Sequence, residues 1–138
     1  MPQRILVADD DPSSLEGLRV LLAIWGYEVE TASDGRVALQ KISAAEPKAV
    51  ITDVVMPVMN GLELLGALRI QKPGMPVIVL TGQGSLDTFV RARQQGAYAY
   101  LAKPVDVGRL KSVLASALAK PEGGTTPWQR PSWTSGAG

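Results

Sequence analysis

Short unbroken apolar runs alternate along the chain with longer stretches in which apolar residues recur every three or four positions. Runs of the first kind suit strands buried on both faces, and the second spacing suits helices with one buried side. The first run, Arg4 to Ala8, stops at Asp9, Asp10 and Asp11. A helix begins there. Pro12 can take its first position behind an Asp11 cap, or Ser13 can cap it with Glu16 completing a capping box. Leu15, Leu18, Leu22 and Trp25 mark its buried side, and Gly26 supplies the stop.

Tyr27 to Ala32 alternates polar and apolar residues as an edge strand does, and its carboxyl end carries no chemical motif. Asp34-Gly35 opens a helix through Ala38, Leu39 and Ile42, closed before Pro47. The strand Ala49 to Thr52 delivers Asp53 at its end, and the Met56-Pro57 turn leads to Asn60, a good cap for a helix with Leu62, Leu65 and Leu68. Pro73-Gly74 ends that helix. Pro76 to Leu80 is a further strand, finishing at Thr81-Gly82, and Ser85 caps a helix through Phe89 to Gln95 that stops at Gly96. Tyr98 to Ala102 is the last strand, Lys103-Pro104 a turn, and Asp106 the cap of a helix through Leu110, Val113, Leu114 and Leu118.

Five strands alternating with five helices predict an α/β fold, a parallel sheet with right-handed crossovers and helices on both faces. Residues 1–120 are expected to form one domain. Residues 121–138, rich in Pro, Gly, Ser and Thr, hold too little apolar surface for a second core and read as a flexible tail or the start of a linker. Trp128 and Trp133 are expected to be exposed rings within it.

Composition narrows the chemistry. The chain has 138 residues, no Cys and no His, which removes disulfides, thiolate nucleophiles, histidine ligands and serine-histidine triads. No apolar run approaches the roughly 20 residues of a membrane-spanning helix, and the start lacks a signal peptide, so a cytoplasmic protein without membrane contact is expected. A formal charge of +1, with scattered Lys and Arg, gives no footprint for nucleic acid.

In open α/β sheets the ligand site lies beyond the carboxyl ends of the strands, where strand order reverses. The first strand brings Asp9 and Asp10 there, the third Asp53, the fourth Thr81 and the fifth Lys103. Each has an ordinary alternative: a helix cap, a loop aspartate, a turn threonine, a solvated lysine. Together they describe a site. Clustered carboxylates repel one another unless a cation joins them, and an incomplete shell of carboxylate oxygens suits Mg²⁺ bound together with a phosphate. With Lys103 as a fixed positive charge and Thr81 as a donor, the expected reaction is phosphoryl transfer to Asp53.

The acidic pair Asp9-Asp10 after Ile-Leu-Val-Ala, the block from Asp53 through Met56-Pro57 to Asn60-Gly61, Leu80-Thr81-Gly82, and Gly96 to Pro104 together resemble the receiver domain of two-component response regulators. The resemblance covers about residues 4–119, and its Thr81-Gly-Gln-Gly and Gly96-Ala-Tyr features resemble receivers of the nitrogen-regulatory type. It implies a flavodoxin-like (βα)5 fold with strand order 2-1-3-4-5. It also implies a regulatory module, not an enzyme, in which Asp53 accepts a phosphoryl group from a sensor histidine kinase or phosphotransfer protein. Asp10, Asp53 and the Val55 backbone carbonyl would then bind Mg²⁺, and Asp9 would do so mainly through water. Lys103 would pair with the phosphoryl group, Thr81 would swing to it, and Tyr100 would follow inward. That movement would alter the face made by the fourth helix, fifth strand and fifth helix, for an output domain or protein or for a homodimer, with transcription as one output. A cis Lys103-Pro104 bond is implied too.

Two alternatives remain at this point. Asp9-x-Asp11 resembles the motif of Mg²⁺-dependent phosphatases of the haloacid dehalogenase group, although Ser13 stands where that pattern has Thr or Val. A receiver fold used for protein contacts alone is the other.

Overall fold

A computed structural model of the chain describes residues 2–119. Five parallel strands, β1 (Arg4–Ala8), β2 (Glu28–Ala32), β3 (Ala49–Asp53), β4 (Val77–Thr81) and β5 (Ala99–Ala102), form one sheet in the order β2-β1-β3-β4-β5. The helices between and after them are α1 (Pro12–Ile24), α2 (Gly35–Ala44), α3 (Gly61–Gln71), α4 (Leu86–Gln94) and α5 (Val107–Ala119). This is the flavodoxin-like order, with its reversal between β1 and β3. Expectations for residues 121–138, including Trp128 and Trp133, lie outside the described residues.

The alternation along each strand divides the core in two. Leu6, Val50, Val77, Val79 and Tyr100 face α2, α3 and α4, while Ile5, Val7, Ile51, Ile78 and Leu80 face α1 and α5. Burial on both sides explains why β1, β3 and β4 read as continuous apolar runs, and edge position explains the polar alternation of β2. The ladders run one residue further than the apolar pattern suggests. Asp53 pairs with Leu80, and Thr81 with Ala102, so both polar residues are still part of their strands. At the other ends, β2, β4 and β5 each begin one residue later than expected.

Of the two possible starts for α1, the structure adopts Asp11 at the N-cap with Pro12 in the first turn, and the Asp11 side chain makes no capping hydrogen bond. Ser13 therefore lies within the helix. Asp34 accepts from the Val37 amide at 2.9 Å, Asn60 and Glu63 form a capping box, and Asp106 accepts from the Arg109 amide at 3.0 Å. Gly26 and Gly96 end α1 and α4 with φ of 97° and 84°, the left-handed geometry glycine adopts without steric cost. Beneath the sheet, the Arg69 guanidinium on α3 donates to the carbonyls of Pro73 at 3.1 Å, Gly96 at 3.4 Å and Met75, tying three segments together. Among the described residues no helix is long and apolar enough to cross a membrane.

Candidate functional site

Parallel strands of matched length deliver their last residues to one end of the sheet, and the five expected groups arrive there from four strands. One carboxylate oxygen each from Asp9, Asp10 and Asp53 lies within 4.8 Å of the others. Asp9 is 2% exposed, Asp53 is partly buried and Asp10 is exposed. Lys103, 94 positions after Asp9, places its Nζ 2.7 Å from Asp9 Oδ2 and 3.0 Å from Asp53 Oδ2. The Lys103 amide donates to the Thr81 carbonyl at 2.8 Å, and its peptide bond to Pro104 is cis, as the resemblance implies.

The electrostatics are set by these contacts. Burial pushes the Asp9 carboxyl up, but hydrogen bonds from Lys103, the Asp11 amide and Ser14 together outweigh it and leave Asp9 below the ordinary carboxylate range. For Lys103 burial pulls down, and the bonds to Asp9 and Asp53 outweigh that, so its ammonium is held above the ordinary lysine value. Three carboxylates against one ammonium leave an excess of two negative charges, which a divalent cation would cancel. The donor set is all hard oxygen, the kind Mg²⁺ prefers.

Asp53 is held from several sides. Its Oδ1 accepts from the amides of Val54 at 2.6 Å and Val55 at 3.3 Å, and the Thr52 hydroxyl donates to its backbone carbonyl at 2.9 Å. Gly61, the first residue of α3, donates to the Val54 carbonyl at 2.9 Å, and a Cβ there would sit 1.9 Å from the Asp53 carbonyl oxygen. No side chain fits in that gap. Between them the chain makes a three-residue turn, closed by the Met59 amide on the Pro57 carbonyl at 2.7 Å, with Val58 at a φ of 68°. That is a strained value for a β-branched residue.

Thr81 is 1% exposed and its hydroxyl accepts from the Gln83 amide at 3.1 Å. Tyr100 is already inside, 2% exposed, so no inward swing is needed to bury its ring. Val55 is half exposed beside the cluster. A Cβ at Gly82 would meet Lys103 at 3.9 Å, an ordinary contact, so the space beside Thr81 does not depend on glycine there.

Ser14 escaped the sequence reading. Its Oγ lies 3.4 Å from Lys103 Nζ, and it helps hold the Asp9 carboxyl below its ordinary value. The available signal was its place in the first turn of α1, which turns it back over the strand ends. Gly61 stood inside the Asp53 block, but only the packing shows how tightly α3 meets that strand.

The family model described as the response regulator receiver domain matches residues 5–115. Response regulator MprA of Mycolicibacterium vanbaalenii is 42% identical over 127 residues, covering 92% of this chain and 53% of that protein. The DNA-binding transcriptional regulator NtrC of Bradyrhizobium sp. is 40% identical over 118 residues, covering 86% of this chain and 25% of that protein. The chain thus spans a quarter to about half the length of these curated relatives. Among solved structures, a CheY-like response regulator receiver domain protein from Methanospirillum hungatei JF-1 superposes with a TM-score of 0.82 at 36% identity, covering 86% of this chain and 94% of that one. The family match runs from β1 into α5 and so takes in the whole cluster at the sheet end; the chain belongs to the receiver domains of two-component response regulators.

Proposed function

We propose that Asp53 is the phosphoryl acceptor of this receiver, supplied by a phosphohistidine on a sensor histidine kinase or phosphotransfer protein. The observation that carries this reading is Lys103 bridging Asp9 and Asp53 beside a third carboxylate. In the transfer an Asp53 carboxylate oxygen attacks phosphorus, the P–N bond breaks, and its electron pair leaves with the imidazole. A carboxylate nucleophile requires no general base, in keeping with a chain that has no histidine.

Asp10, Asp53 and the Val55 carbonyl would hold Mg²⁺, with Asp9 mainly through water. When bound, Mg²⁺ supplies neutralisation of the charge on the phosphoryl oxygens. Lys103, already aimed at Asp53, pairs with one phosphoryl oxygen, and Thr81 gives up the Gln83 amide to donate to another. That exchange pulls on the β4–α4 loop and alters the α4–β5–α5 face, through which an output domain, a protein target or a second copy is engaged. Relatives named as transcriptional regulators support an output in transcription.

The test is incubation with Mg²⁺ and acetyl phosphate. A hydroxylamine-labile phosphoryl adduct is expected, and Asp53→Asn should abolish it. Labelling that survives Asp53→Asn but is lost in Asp9→Asn would move the nucleophile to Asp9, as in the aspartyl phosphatases. Burial argues against Asp9 in that role, since it is 2% exposed whereas Asp53 is partly buried.

A further inference from the structure

The first turns of α4 meet the sheet through one side chain, Tyr100. Ala92 is the one buried residue of α4, whereas Tyr100 of β5 offers both a ring and a hydroxyl to it. The Tyr100 ring meets Phe89 edge-on, with centroids 5.5 Å apart and planes at 80°, and its hydroxyl lies 2.8 Å from Thr88 Oγ1. That same Oγ1 accepts from the Ser85 amide at 3.1 Å, while Ser85 Oγ accepts from the Thr88 amide at 3.2 Å. These are the two halves of the α4 capping box. A buried phenol needs a hydrogen-bond partner, and here the partner is the side chain that caps the neighbouring helix.

A threonine hydroxyl has one proton and two lone pairs. The Tyr100 hydroxyl, the Ser85 amide, the Ser85 hydroxyl at 3.0 Å and the Ser85 carbonyl at 3.1 Å all lie within hydrogen-bond distance of Thr88 Oγ1, with either hydroxyl able to donate across the Tyr100 contact, so its capacity is filled. Helical threonine divides between two rotamers, and Tyr100 favours the one that faces Ser85. The far end of α4 is held independently, by fully buried Ala92 and by the Arg69 bond to the Gly96 carbonyl at 3.4 Å.

We propose that Thr88 is a positioning residue that couples the Tyr100 side chain to the N-cap of α4, so that displacing Tyr100 loosens the first turn of α4 and leaves its last turn in place. Its consequence for signalling rests on the switch reading above; the link itself is present without phosphorylation.

The test is amide hydrogen exchange by NMR on the full chain without Mg²⁺ or phosphoryl donor. Tyr100→Phe keeps the ring and removes one hydroxyl. It should speed exchange at positions 88 and 89 about fivefold, the scale of one net hydrogen bond, with Gln95 and Gly96 unchanged. Thr88→Val should affect the same two amides, and the double variant should exchange no faster than Thr88→Val alone. Wild-type rates at 88 and 89 in Tyr100→Phe, a uniform rise along α4, or independent effects in the double variant would each overturn the link. Because no phosphoryl group is present, its failure leaves the acceptor role of Asp53 untouched, and a failure of acetyl phosphate labelling leaves the link untouched.

Discussion

Helices α3 and α4 pack against the same face of the sheet but are joined to it by different means. α3 buries Gly61, Leu62, Leu64, Leu65 and Leu68, and α4 buries Ala92. At roughly 2 kcal/mol for each buried leucine, α3 is fixed by apolar area that α4 lacks. α4 relies on Ala92, on Phe89 against the Tyr100 ring, and on a few neutral hydrogen bonds around Ser85, Thr88 and Tyr100. Elements with little apolar burial open at low free-energy cost. The strand that carries Asp53 therefore rests against a rigid neighbour, while the α4 side that follows Thr81 is held with less apolar burial. The proposed switch would use both properties, which the sequence distributes between adjacent helices.

The sharpest way to break this contrast is at Gly61. A methyl group there would overlap the Asp53 carbonyl oxygen at 1.9 Å and press on Val54 Cα at 3.0 Å. Both are backbone atoms and cannot rotate aside. Gly61→Ala should cost about 3 kcal/mol or more, read as a lower urea midpoint at unchanged slope. A loss below about 1 kcal/mol would mean that α3 can back away from Asp53 and is not a rigid neighbour.

A leucine on each helix gives the next comparison. Leu65 is fully buried on α3, whereas Leu86 on α4 is 64% exposed. Leu65→Ala should cost about 3 kcal/mol through lost transfer energy and the cavity left behind. Leu86→Ala should stay within about 0.5 kcal/mol. Equal losses in urea unfolding would remove the distinction between the two helices.

The same contrast explains which features could be read from sequence. Apolar runs and their terminating residues located five strands and placed Asp9, Asp10, Asp53, Thr81 and Lys103 at one sheet end, because strand direction alone determines where a run's last residue goes. Strand limits at Asp53 and Thr81 were less legible, since a polar residue stays in the ladder when its neighbour still pairs with it. Asn60 and Ser85 could be recognised as caps from their own sequence neighbourhoods. Thr88 could not be linked to Tyr100, because that contact spans two elements and depends on where a buried ring points. Ser14 was hidden for the same reason: serine near a helix start is ordinary until Lys103, 89 positions later, is folded over it. Contacts between elements, more than the elements themselves, are what a single sequence conceals.

The smallest expected effect separates the two sides by charge. The bonds holding α4 to Tyr100 join neutral groups, whereas Asp9, Lys103 and Asp53 form a charged bridge. Asp9 has its folded pKa below the ordinary 3.8, so its contribution to stability is complete above 3.8 and is lost as pH falls through the lowered value. Lys103 has its folded pKa above the ordinary 10.5, so the ammonium stays charged throughout that acid range and its own contribution is lost only as pH rises through the raised value. Lys103→Gln removes the strongest partner of Asp9 and leaves burial, which pushes a carboxyl up, opposed by the Asp11 amide and Ser14. The folded Asp9 carboxyl then lies higher than in wild type, so less of its contribution is lost as pH falls. Wild type should therefore lose more stability through this group below pH 3.8 than Lys103→Gln does, and the gap between their urea midpoints should narrow there. Exchange at positions 88 and 89 in α4 should show no matching change beyond the intrinsic effect of pH. A gap that stays constant with pH would mean that Lys103 does not control the charge on Asp9, and loosening of α4 in step with Asp9 protonation would mean that the strand-end site and the helix are not the separate regions their contacts describe.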